Sequence, residues 1–167
     1  MSPDDWNERY RTREEIDHEP AKLLVDHASA LPPGRALDLA CGAGRNAIWL
    51  ADRGWEVVAL DGAHEAIRLI HDERVDARVF DLERGEPLPF DDESFDLVAI
   101  LFYLHRPLFA EAKRVLRPGG VLVTAVLTKG GFGIGRGELV QHFETWEVVH
   151  AREEEIAELV VRKVAGC

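Results

Sequence analysis

Residues 36–46 read A-L-D-L-A-C-G-A-G-R-N. A short apolar strand carries an acid near its end, Asp38, and runs into a glycine turn, Gly42 and Gly44, from which a helix starts. That order confines the chain to an α/β sheet whose first strand tip and turn cradle a nucleotide-like cofactor. Glycine suits such a turn because the backbone must come close to the ligand, where a Cβ would collide. G-A-G-R-N-A also satisfies the dinucleotide pattern G-x-G-x-x-G/A, so the glycines alone do not separate cofactor classes. Asp38 does. A pyrophosphate on the helix N-terminus would be repelled by it, whereas a cofactor with an amino group there would be attracted.

The rest of the chain repeats the strand–helix alternation. Strands are expected over 35–40, 56–60, 77–80, 95–101 and 121–127, and helices over 45–53, 63–72 and 107–116. A turn, R-P-G-G, spans 117–120. A glycine-rich flexible loop follows at 129–137, and a short helix at 138–143. Such alternation means a parallel sheet covered on both faces, a doubly wound α/β fold. The last two strand-like runs, 146–151 and 156–164, are separated by only the four residues 152–155. A parallel crossover needs about a dozen, so this pair must be an antiparallel hairpin. Two helices precede the first strand. The first, over 3–16, carries Trp6 and Tyr10 on one face, and the second runs over 19–31 and is stopped by Pro32-Pro33-Gly34. The expected division is an N-terminal helical cap, 1–34, on a cofactor-binding domain, 35–167, within one structural unit.

Two further acids end successive strands. Asp61 closes V-V-A-L-D, where a carboxylate can hydrogen-bond both hydroxyls of a ribose. Asp81 closes R-V-F-D, where a carboxylate can accept from an exocyclic adenine amine. Singly, Asp61-Gly62 also reads as a turn and Asp81 as a loop acid. Together with Asp38 they place three acids on the sheet edge where open α/β sheets bind ligands.

Composition narrows the partners. The chain has 167 residues, 46% of them hydrophobic, and a formal net charge of −11 with no basic run of five. An acidic surface repels phosphate backbones, so nucleic acid is not an expected partner. Two cysteines, Cys41 and Cys167, do not make a disulfide framework and fit a reducing compartment. The first residues lack a basic segment followed by an apolar one, and the longest apolar run, 97–104, is far short of the ~20 residues of a membrane span. A cytoplasmic protein, monomer or homodimer, is expected. The histidines show no metal-ligand spacing.

The motifs D-L-A-C-G-A-G at 38–44, Asp61, Asp81-Leu82, F-D-L-V at 95–98 and L-R-P-G-G at 116–120 together resemble the class I S-adenosylmethionine-dependent methyltransferases. C-G-A-G-R-N-A, W-L-A-D-R-G-W-E-V, W-N-E-R-Y near the N-terminus and G-E-L-V-Q-H-F-E-T-W-E-V-V at 137–149 are similar to the small-molecule branch with tellurite-resistance and thiopurine methyltransferase-like proteins. The resemblance implies a Rossmann-like, seven-stranded, mostly parallel sheet with its last strand antiparallel, and S-adenosyl-L-methionine as cofactor. It implies that Gly42 and Gly44, flanked by Ala40, line the methionyl part and that Asp38 lies near the amino group. Asp61 and Gly62 would meet the ribose, and Asp81 and Leu82 the adenine. Arg45 would reach the cofactor carboxylate or remain a solvated first-turn arginine. Tyr10 would cover the pocket or only pack on Trp6.

In this family the end of the fourth strand faces the methyl group. Here it reads I-L-F-Y-L-H-R-P over 100–107, lacking the Asn/Asp-Pro-Pro-aromatic motif of base-methylating enzymes. Tyr103, His105 and Arg106 are the polar groups available for catalysis. His105 is a candidate general base and Arg106 a candidate site for an anionic substrate. Methyl transfer to a small molecule, a thiol or metalloid oxyanion or similar, is the function expected, driven by positioning. Relatives usually carry substrate residues in longer insertions where this chain has only 128–137 and 152–155. A cofactor-binding protein without catalysis therefore stays open as an alternative, and the shared glycine pattern leaves a nicotinamide-dependent oxidoreductase as another.

Overall fold

Apolar residues alternate along the central strands, so each strand feeds two cores on opposite sides of one sheet. Leu37 and Leu39 enter one core and Ala36 the other; Val98 and Ile100 enter the first, Leu97 and Ala99 the second. The computed structural model describes residues 2–12, 16–130 and 133–166. Among them the strands β1 (Arg35–Leu39), β2 (Glu56–Asp61), β3 (Val75–Val79), β4 (Phe95–Leu101), β5 (Leu116–Leu127), β6 (Glu147–Glu153) and β7 (Ile156–Arg162) form one sheet. Its order is β3-β2-β1-β4-β5-β7-β6. Neighbours are parallel except at β7, which runs antiparallel to both β5 and β6. The fold class read from the sequence is the fold observed.

The helices are α1 (Pro3–Thr12), α2 (Lys22–Ala28), α3 (Arg45–Asp52), α4 (His64–Ile67), α5 (Pro107–Val115) and α6 (Glu138–Gln141). α2 and α3 cover one face, α5 and α6 the other. The chain winds from β1 outward to β3 and then returns to β4 on the other side of β1. That reversal opens a crevice at the C-terminal ends of β1 and β4, where side chains from four successive strand ends converge.

Several boundaries differ from the sequence reading, each for a local reason. The helix expected over 63–72 stops at Ile67, because the next amides bond three residues back, Leu69 to Ala66 and Ile70 to Ile67. This tighter turn brings Ile70 beside Gly44, where a Cβ on Gly44 would meet Ile70 Cγ1 at 2.9 Å. β3 starts at Val75 rather than 77, since buried Val75 pairs with Val57. Of the helix expected over 3–16, residues 3–12 are helical, Ile16 is not, and 13–15 lie outside the described residues, as do 131–132 of the glycine-rich loop and Cys167.

The R-P-G-G turn is a looped-out segment within β5. Leu116 pairs with Phe95 and Val121 with Leu97, so residues 117–120 face Asp96 alone. Gly119, at φ 83°, turns its N–H onto the Lys163 carbonyl at 2.8 Å, and Lys163 N–H returns to Gly120 at 2.9 Å. The buried Lys163 ammonium donates to the Lys113 and Leu116 carbonyls at the end of α5. Asp96, in F-D-L-V, holds the Arg35 amide (2.9 Å) and the Arg117 guanidinium (2.8 Å) and so fixes the far end of the sheet from the crevice.

β6 is one free edge of the sheet. Its register with β7 slips between Val148 and His150, leaving Val149 as an extra bulged residue.

α1 is tied down through a buried polar side chain. Asn7 Oδ1 accepts from the Glu65 amide at 2.9 Å, acting as a cap for α4 from another helix. Asn7→Ala is expected to cost about 1 kcal/mol, the usual worth of a helix cap. It should raise amide exchange across residues 3–12 and 63–67; unchanged exchange there would show that α1 is held by other contacts.

Candidate functional site

A cavity of about 280 Å³ occupies the crevice. This is near the lower end of the roughly 300–1,000 Å³ usual for small-molecule sites. Its wall is built from strand ends: Ala40–Ala43 after β1, Asp61–Ala63 after β2, Asp81–Glu83 after β3, and Leu101–Tyr103 closing β4. α1 covers it with Trp6 and Tyr10. Ala40 and Phe102, at neighbouring strand ends, both hold left-handed backbone, φ 58° and 59°. Non-glycine residues in that conformation are strained and concentrate at functional sites.

Asp38 lies beneath the glycine turn, fully enclosed. One carboxylate oxygen faces the Ala47 N–H, and Oδ2 has no hydrogen-bond partner among the described residues. Burial, reinforced by the Asp61 carboxylate and opposed by Arg45, pushes its pKa up to about 7. A buried carboxylate with an open acceptor atom is a site for a donor that the protein itself does not provide.

Asp61 braces the turn. Its Oδ2 accepts from the Gly42 N–H at 2.9 Å and its Oδ1 from the Ala63 N–H at 2.8 Å. Burial raises its pKa, and those two amides hold it down. Each oxygen keeps a second lone pair for a ligand hydroxyl. Asp81 Oδ1 accepts from the Glu83 amide at 3.1 Å, so the loop acid forms an Asx turn and still lines the cavity. Leu82 is buried beside it. Gly42 approaches Tyr10 so closely that a Cβ there would stand 2.5 Å from the phenol oxygen. Tyr10 is thus placed over the turn, not merely against Trp6.

Other expected residues stand elsewhere. Gly44 is not in the wall; at φ 89° it turns the chain into α3. Arg45 does line the cavity, but its Nη1 donates to Asp17 Oδ2 at 2.8 Å and to the Glu19 carbonyl at 3.1 Å. Of the catalytic trio only Tyr103 lines the cavity. Burial, together with the nearby Glu83 carboxylate, raises the pKa of its hydroxyl. His105 is not in the wall. Arg106 is held outside it by Glu138 through two bonds, 2.6 and 2.8 Å. Cys41 does line the cavity, but burial lifts its thiol pKa far from thiolate chemistry. The residues that sequence reasoning missed are Phe102, Glu83 and Asp17. For Phe102 the available signal was a large aromatic directly after the apolar run of β4.

The donor set fits S-adenosylmethionine. Asp38 offers an open anionic acceptor under the turn, Gly42 leaves no room for a side chain, and Asp61 and Asp81 stand at successive strand ends around one cavity. No helix among the described residues is long and apolar enough to cross a membrane.

Comparison with known proteins agrees. The family described as "Methyltransferase domain" matches residues 37–124. A demethylmenaquinone methyltransferase of Renibacterium salmoninarum is 39% identical over 119 residues, 67% of this chain and 49% of that protein. The chain thus spans about half the length of this relative. Among solved structures, TehB from Haemophilus influenzae superposes with TM-score 0.75 at 18% identity, over 96% of this chain and 66% of that one. A TehB-like S-adenosylmethionine-dependent methyltransferase from Corynebacterium glutamicum gives TM-score 0.70 at 21% identity, over 96% and 95%. At such identities the structural likeness speaks for the fold.

Proposed function

The chain belongs to the class I S-adenosylmethionine-dependent methyltransferases, and from that premise we propose that it methylates a small molecule. The observation that carries this reading is the unpartnered Oδ2 of Asp38 beneath a glycine turn, with Asp61 and Asp81 at the next two strand ends. Asp38 holds the amino group of the cofactor, Asp61 its ribose hydroxyls, and Asp81 with Leu82 its adenine. Tyr10 closes over Gly42 and keeps water from the turn. Arg45 is neutralised by Asp17 and reaches a ligand carboxylate only by exchanging that partner. When bound, the cofactor supplies an activated sulfonium methyl, so transfer depends chiefly on alignment, worth up to about 10⁵ M or more in effective concentration. Tyr103 orients the acceptor from the β4 end, with the Glu83 carboxylate near its hydroxyl.

Calorimetric titration with S-adenosylmethionine and S-adenosylhomocysteine tests the reading. Both are expected to bind with micromolar affinity, about −8 kcal/mol. No heat at millimolar ligand would overturn it.

A further inference from the structure

The lining of the cavity also includes residues to which the reading above gives no part in holding the cofactor: Phe102 and Tyr103 from the end of β4, Glu83 after β3, and Trp6 from α1. Phe102 is 48% exposed despite its size, and its N–H is bonded to the Ala125 carbonyl at 2.7 Å, so the sheet holds the ring at the cavity in spite of its left-handed backbone. An exposed aromatic fixed in this way is a contact surface in waiting for an apolar partner. The charge of the wall is one-sided. Among the described residues, Asp17, Asp61, Asp81 and Glu83 line the cavity against a single guanidinium, that of Arg45. Asp17 neutralises that guanidinium, which lies 5.9 Å from the centre of the Phe102 ring. The protein itself thus seats a delocalised cation between a carboxylate and this aromatic face. An anionic acceptor would meet net negative potential; a cationic one would meet aromatic faces and the Glu83 carboxylate.

Resting on the methyltransferase reading, we propose that Phe102, Tyr103 and Glu83 form an acceptor subsite selective for an aromatic or apolar molecule carrying an amine, and that it rejects oxyanions. The proposal concerns the charge and body of the acceptor, not the atom that takes the methyl.

The test uses the full chain saturated with S-adenosylhomocysteine and three probes that share one ring: benzylamine, benzyl alcohol and benzoate. Calorimetry is expected to show benzylamine binding at least about tenfold more tightly than benzoate, with the alcohol between them. Glu83→Gln should bring benzylamine down to the affinity of the alcohol. Phe102→Ala should weaken both by about fivefold or more while S-adenosylhomocysteine binds as before. Phe102→Asn, which tolerates the left-handed backbone, should give the same loss and so separates lost contact from misfolding. Benzoate binding as well as benzylamine, or no probe binding at millimolar concentration, overturns the subsite. If S-adenosylhomocysteine itself does not bind, the cofactor reading and the subsite fall together; if it binds and the probe order is wrong, only the subsite falls.

Discussion

Asp38→Asn is expected to stabilise the ligand-free protein at pH 8 while weakening its hold on the cofactor. The groups facing Asp38 are the Asp61 carboxylate, the Arg45 guanidinium and the Ala47 N–H, and burial outweighs them in setting its pKa at about 7. In the unfolded chain the group returns to its ordinary value of 3.8. Between those values the folded protein holds a proton that the unfolded chain has lost. Stability therefore falls as pH rises from about 4 to about 7 and levels off above. A displacement of that size corresponds to about 4 kcal/mol as an upper limit. Asparagine removes the buried charge but leaves an amide in place of Oδ2, at a cost of about 1–3 kcal/mol if unbonded. The net gain at pH 8 should be about 1–3 kcal/mol by urea unfolding, and near pH 4, where only the amide cost remains, it should turn into a loss of about 1–3 kcal/mol. Affinity for S-adenosylhomocysteine should rise with pH up to about 7 in the parent and be flat in the variant. A variant less stable than its parent at pH 8 would refute a buried, charged Asp38.

Asp61→Ala should cut cofactor affinity by at least the ~1.5–3 kcal/mol of a hydrogen bond to a charged group, roughly ten- to a hundredfold. The loss has two sources. One is the ribose contact; the other is the turn itself, because the same carboxylate holds Gly42 N–H at 2.9 Å and Ala63 N–H at 2.8 Å. Asp61→Asn separates them, since its one carbonyl oxygen keeps one amide and its NH₂ opposes the other. It should retain more melting temperature than the alanine variant while still losing affinity. Unchanged S-adenosylhomocysteine affinity in Asp61→Ala, measured by calorimetry, would remove Asp61 from the site.

The strand-end acids were legible because their signal is local: an acid at or near the end of an apolar run, with a glycine turn following at Asp38 and Asp61. β4 was read to the residue, since every residue of Phe95–Leu101 except Asp96 is apolar and buried. What the chain hides depends on distance. The pairing of Arg45 with Asp17 joins residues that no periodicity relates. Arg106 looked like a substrate arginine until Glu138, far along the chain, was found to hold it. R-P-G-G read as a turn because proline and glycine mark turns, yet its ends pair on into β5 when Lys163 closes it. The helix over 63–72 has helical apolar spacing, but packing of Ile70 against Gly44 overrides it.

The bulge at Val149 has a consequence for life in a crowded solution. A sheet with a bare edge is an invitation to any other extended chain, and β6 carries exposed Val148 and Val149 on that edge. The slipped register puts the outer row of amides and carbonyls out of step with a straight incoming strand. Glu147, Arg152 and Glu153 would have to shed water for it to dock. The opposite border, β3, is only five residues long, and Asp76 and Arg78 bond each other along it. Both margins of the sheet thus refuse accretion, and a protein whose centre is almost entirely apolar strand is protected from fibre growth at the two places where it could begin.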